Sequence, residues 1–298
     1  MVKFDCVIIN PPYDNQTHLK HLEHAIKTSS RYVVSVQPAA WLFSKKGERT
    51  IGGKAGESII RTINEHGADI EFIKGASWFD AGLFSEMSVN VIDKEGKGGV
   101  RVSGLGYEHP VLLTETYDIK KYGDDPLVDS IREKIERWRK TNDLSSTIYD
   151  HLLFASNASQ GPKEQHDLHP DKNAWYVSIP GVRGHVDQVS GDKKNDFYTI
   201  VYRDQKAVRW SPELRYYLKA KTKERAEGLI RYLKSDLVRF LLFLVKNNLN
   251  ILRSELKDIP WIDETDGFDN DKLNEEIGFT EDEKRKIKAS IIEPDYYA

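Results

Sequence analysis

An α/β sheet at the N-terminus, followed by an α+β domain, is the architecture this sequence predicts. Residues 3–9 form a β-branched apolar run that stops at Asn10-Pro11-Pro12-Tyr13. Residues 18–30 then show helical spacing at Leu19, Leu22, Ala25 and Ile26, and residues 32–36 return to a β-branched run before Pro38. Strand, helix and strand in that order make a parallel unit, and continuous apolar strands of this kind read as buried on both faces.

A loop rich in glycine and lysine, residues 44–56, leads into a helix at 57–65 and strands at 70–74 and 88–93, which completes an α/β half-domain. The helix at 126–140 places Leu127, Ile131, Ile135 and Trp138 on one face and reads as the bridge between two domains, 1–122 and 123–298. Residues 155–174, rich in Asn, Gln, Gly, His, Asp and Pro, read as an exposed loop. Short strands follow at 175–179 and 197–202. Residues 221–248 read as two abutting helices, the second carrying Leu237, Phe240, Leu241, Phe243 and Leu244 as core. The tail after Pro260 is acidic and closes in a small helix at 281–292.

Composition narrows the class. The chain has 298 residues, 39% hydrophobic and 31% charged, a globular balance with room for two domains. It shows neither a run of the roughly 18 apolar residues that a membrane helix needs nor a signal-type start, so a cytoplasmic protein with no membrane partner is expected. Cys6 is the single cysteine, which excludes an internal disulfide and a multi-cysteine zinc site, and its place in the first strand predicts burial. A net charge of −3 exerts no global pull on nucleic acid, so any such affinity resides in local basic patches.

Asn10-Pro11-Pro12-Tyr13 carries the chemistry. Asn10 and Pro11 each precede a proline, which holds them extended and makes the loop stiff before any ligand arrives. Ligands of open α/β sheets sit at the carboxyl ends of the strands, so the Asn10 side-chain oxygen and the Pro11 carbonyl are expected to face the site as fixed acceptors. Two acceptors suit an exocyclic amine. Taking both N–H protons localises the nitrogen lone pair for in-line attack on a methyl group and stabilises the developing positive charge without a strong base. Tyr13 adds an aromatic face on which a flipped base can stack, worth about 1–3 kcal/mol.

The run IINPPY resembles the catalytic motif of amino-group methyltransferases, whose adenine-N6 branch carries N-P-P-Y or N-P-P-F. YVVSVQPAAWLF is similar to the strand that follows in gamma-type enzymes, and IEFIKGASWF with SVNVIDK to their later strand pair. KTKERAEGLIRYLKSDLVRFLLFL, IPWID, GFTEDEKRKI and the terminal PDYY resemble Eco57I-type restriction-modification methylases. The resemblance implies a partial Rossmann-like methyltransferase sheet followed by a target-recognition domain. It implies adenine-N6 methylation of double-stranded DNA, with S-adenosylmethionine as donor and Asn10, Pro11, Pro12 and Tyr13 at the target adenine. A second stacking aromatic would be Phe79 or Phe84. Cytosine N4 offers the same two donors, so adenine is favoured by resemblance alone. Glutamine methyltransferases of release factors share N-P-P-Y but lack a long C-terminal recognition domain.

Enzymes of this type carry a glycine-rich turn for the donor before the catalytic strand, and this chain begins nine residues before Asn10. Gly104-Leu105-Gly106 follows the motif and runs into His109-Pro110 rather than a helix, so it is rejected as the donor site. The expectation is therefore an incomplete donor site and an unpaired sheet edge, to be covered by an N-terminal methyltransferase subunit or a homodimer, unless the chain is a truncated relic. The competing reading is a non-catalytic DNA-binding or specificity subunit that kept the N-P-P-Y loop.

His18, His21 and His24 read as a solvated helix face rather than a metal site, and His166 with His169 lacks a cysteine partner, so no metal is assigned. Arg203, Arg209, Arg215, Lys219 and Lys221 belong to a basic stretch interleaved with Trp210, Tyr216 and Tyr217 and suit phosphate contact. Arg183 and His185, in a glycine-flanked loop, suit base readout.

Overall fold

The computed structural model describes residues 3–13, 17–43, 46, 52–74, 86–155, 166–167, 174–179, 199–201, 216–245, 253–263 and 265–291. The chain divides into two units between Asp125 and Pro126. No helix among the described residues is long and apolar enough to cross a membrane.

The first unit is a mixed six-stranded sheet built from β1 (Phe4–Ile9), β2 (Ser29–Pro38), β3 (Ala68–Lys74), β4 (Glu86–Asp93), β5 (Val100–Gly104) and β6 (Tyr107–Leu113), ordered β1-β2-β4-β3-β5-β6. β1 and β2 are parallel and joined by helix α1 (Thr17–Thr28), as the strand-helix-strand pattern requires. β4 inserts antiparallel between β2 and β3, and β3 pairs parallel with β5. Helix α2 (Lys54–His66) packs beside α1. Leu19 and Leu22 of α1 join Ile59 and Ile63 of α2, Val33, Ile70, Phe72 and Ile92 in one core, with Val7 and Ile9 packed against it.

Partners in register point to the same side of a sheet, so the helix-covered face carries Val7, Val33, Ser35, Gln37, Ser88, Asn90 and Ile92. Three of its polar residues form a buried cluster, in which the Asn90 amide nitrogen donates to Ser35 Oγ at 3.2 Å and Ser88 Oγ at 3.1 Å. The opposite face carries Cys6, Ile8, Val34, Val36, Val89 and Val91. There Ile8 is 76% exposed and the four valines are half-buried.

β1 thus differs from the expected buried strand. Among the described residues it pairs only with β2, and Phe4, Cys6 and Ile8 project from its uncovered side. Cys6, expected to be buried, is exposed for that reason. The Gly104-Leu105-Gly106 segment joins β5 and β6, a hairpin that the reading of the sequence missed. Gly104 has φ +90°, and a Cβ there would run into the Phe72 carbonyl oxygen.

The second unit holds a five-stranded sheet of β7 (Leu152–Ala155), β8 (His166–Asp167), β9 (Trp175–Ile179), β10 (Thr199–Val201) and β11 (Tyr216–Ala220), ordered β10-β9-β11-β7-β8. Its helices are α3 (Pro126–Thr141), α4 (Lys223–Leu233), α5 (Asp236–Val245), α6 (Asn270–Ile277) and α7 (Glu281–Ile291). Helix α3, read from sequence as an interdomain bridge, packs on α6 and α7 inside this unit. Its buried face is Val128, Ile131, Ile135 and Trp138, while Leu127 is 40% exposed. Val128 takes the expected place of Leu127 because 128, 131, 135 and 138 follow the helical repeat.

The α3–α7 contact is polar at its centre. Buried Glu283 accepts from Lys134 Nζ at 2.6 Å and Ser130 Oγ at 2.7 Å, and it closes a capping box with Thr280. Burial opposes its ionisation, yet these donors bring the carboxyl down to about 2. In α5, Leu237, Phe240 and Leu241 are buried, and Phe243 and Leu244 are half-buried.

Candidate active site

β1 ends at Ile9, and Asn10-Pro11-Pro12-Tyr13 leaves the carboxyl end of that strand. Pro11 is buried and anchors the loop, whereas Asn10 is exposed and Tyr13 half-buried. The first turn of α1 ties the loop from the other side, because the Thr17 hydroxyl donates to the Pro12 carbonyl at 3.1 Å.

The Tyr13 hydroxyl donates to Asn10 Oδ1 at 2.6 Å. Burial raises the phenol above its usual pKa, which keeps it a hydrogen donor at neutral pH. His18, expected on a solvated face, is 6% exposed. Its ring meets the Tyr13 ring edge-on with centroids 6.3 Å apart. Burial lowers the His18 pKa, opposed by its hydrogen bond with the Tyr13 backbone. The three-residue histidine spacing missed this because position 18 stands one turn before buried Leu22, at the helix end against the loop. His21 and His24 are exposed. Among the described residues no group of three His, Cys, Asp or Glu side chains gathers to hold a metal.

Glu86 lies at the same end of the sheet, since β2 ends opposite the start of β4 and the Ala39 N–H donates to the Glu86 carbonyl at 2.9 Å. Burial raises its carboxyl, with Lys121 opposing. No sequence signal distinguished it from the other acids.

The glycine-rich β5–β6 turn offers no cradle for a methyl donor. A Cβ at Gly104 meets Phe72 backbone, and one at Gly106 falls 2.9 Å from the Tyr122 carbonyl carbon. The backbone of this turn packs directly against neighbouring backbone.

No known protein family matches the chain, and no curated protein matches it. The solved structure of a Type IIL restriction-modification enzyme, MmeI, in complex with DNA aligns with 84% of this chain and 44% of that chain, at 10% identity and a TM-score of 0.34. The likeness is remote. This chain spans less than half of that enzyme's chain.

Of the residues assigned to DNA, Lys219 and Lys221 are exposed around the end of β11. Lys223 on the first turn of α4 is also exposed, and its ammonium lies 3.4 Å from Glu227. Arg183, His185, Arg203, Arg209 and Arg215 lie outside the described residues, as do Phe79 and Phe84.

Proposed function

We propose that this chain carries the base-accepting part of an adenine-N6 DNA methyltransferase. The observation that supports the reading is an exposed Asn10 on a proline-stiffened loop at the carboxyl end of a parallel strand, beside a half-buried Tyr13. The Asn10 carboxamide oxygen and the Pro11 carbonyl accept the two N–H protons of a flipped adenine, and the Tyr13 ring supplies its stacking face. Fixed acceptors of this kind stabilise positive charge on the amine as it forms its fourth bond. S-adenosylmethionine is the methyl donor that this reading implies. Lys219 and Lys221 contribute phosphate contacts from the second unit.

The test is transfer of labelled methyl from S-adenosylmethionine to unmethylated duplex DNA, with Asn10→Ala as control. Incorporation at adenine N6 that disappears in the variant is the expected result, and incorporation that survives it contradicts the assignment. Salt-dependent DNA binding without incorporation assigns the chain to a DNA-binding or specificity subunit instead.

A further inference from the structure

We infer that the Tyr13 hydroxyl is a specificity-determining positioning group: it pins the Asn10 carboxamide oxygen as an acceptor, and His18 holds the Tyr13 ring in place to do so. The inference rests on the reading of Asn10 as the acceptor of a base amine. It concerns the hydroxyl, which the N-P-P-F form of the motif lacks and which stacking does not require.

A carboxamide presents an oxygen acceptor on one side and two N–H donors on the other, and a half-turn about its last bond exchanges them. An exposed asparagine with no partner is free to make that turn. With the oxygen forward it accepts from an amine such as adenine N6, and with the nitrogen forward it donates to a ring carbonyl such as hypoxanthine or guanine O6. Tyr13 biases this choice: in the observed arrangement its proton goes to the carboxamide oxygen, and the flipped carboxamide would require the phenol to turn its proton away and accept instead. Its hydroxyl donates to Asn10 Oδ1 at 2.6 Å, and a phenol keeps its proton at neutral pH. The carbonyl-type oxygen has two lone pairs, so one remains for the substrate amine.

The phenol can do this only if its ring does not swing. His18 is buried and meets the ring edge-on with centroids 6.3 Å apart. Thr17, one residue earlier, fixes the Pro12 carbonyl. The first two residues of α1 thus hold both the start and the end of the Pro12-Tyr13 step. His18 acts through Tyr13, and Tyr13 acts through Asn10.

The experiment compares binding of deoxyadenosine monophosphate and deoxyinosine monophosphate, which differ at the 6-position by amine against carbonyl, read by NMR titration. The wild-type protein is expected to prefer the amine. Tyr13→Phe, which keeps the stacking ring, is expected to reduce that preference about two- to tenfold, the worth of one net hydrogen bond. His18→Ala is expected to reduce it similarly, with no further loss in the double variant, as groups acting in series require. An unchanged preference in Tyr13→Phe overturns the inference. A second readout separates this from failure of the functional reading: the Tyr13 phenol titration, followed by 13C-labelled tyrosine, shifts down in Asn10→Ala if the bond exists. A shifted titration with no binding of either nucleotide sinks the functional reading and the inference with it. An unmoved titration sinks the inference alone.

Discussion

In the first unit the residues set out for chemistry lie at an uncovered strand edge, tied by short local bonds from Tyr13 to Asn10 and from Thr17 to Pro12. In the second unit a polar contact, Glu283 with Lys134 and Ser130, joins helices about 150 residues apart in sequence around a buried carboxylate. A local exposed network contributes little to stability and is open to a ligand. A buried long-range one fixes how helices pack and exposes nothing. Substitutions should therefore separate stability from binding along the same line.

The largest expected effect falls on the second unit. Glu283→Ala takes the carboxylate from half-buried Lys134, which keeps only the Gly278 carbonyl, and removes the bonds to Ser130 and Thr280; it should cost about 3 kcal/mol, read as a lowered urea midpoint. The Glu283 carboxyl is depressed in the folded state, so its contribution is present above the unfolded carboxyl range and lost as pH falls through about 2. An equally damaging Asn10→Ala would break the comparison.

Gly104→Ala comes next. It forces a Cβ into the Phe72 backbone at a positive φ and should cost about 2 kcal/mol or more in thermal or urea unfolding. A smaller pH effect belongs to His18. Burial lowers its folded pKa, so the stability tied to its neutral form is present above about pH 6.5 and lost as pH falls toward that lowered value. His18→Gln should flatten the dependence of the urea midpoint over that window. Smallest of all, Ile8→Ser on the uncovered face should change stability by no more than about 0.5 kcal/mol. A larger loss would mean that Ile8 is covered in solution, which would sharpen the contrast between the two faces of the sheet.

Local periodicity made β1, α1 and β2 legible, because Leu19, Leu22, Ala25 and Ile26 mark one face of a helix between two β-branched runs. It did not disclose which strand was the edge. Val7, Ile8 and Ile9 read as buried on both sides, yet neighbours in a sheet are set by pairing across the chain, and among the described residues β1 has one. The β5–β6 hairpin escaped notice because Val100–Gly104 and Tyr107–Leu113 are short, polar on alternate positions and interrupted by Pro110. Strand β11 and helix α6 were missed inside charged stretches. The Asn10 loop was visible because its constraint is local: two prolines act on the residues just before them. The Tyr13–Asn10 bond and the burial of His18 were not, since each depends on how the loop folds back on the start of α1.

The most direct test of the account is whether the loop distinguishes a base that has N–H protons from one that does not. Binding of duplex DNA containing one unpaired adenine should exceed binding of the same duplex containing N6,N6-dimethyladenine, and Asn10→Ala should erase the difference while general DNA affinity stays. Equal binding of the two duplexes by the wild-type protein, or a preference that survives Asn10→Ala, would contradict it.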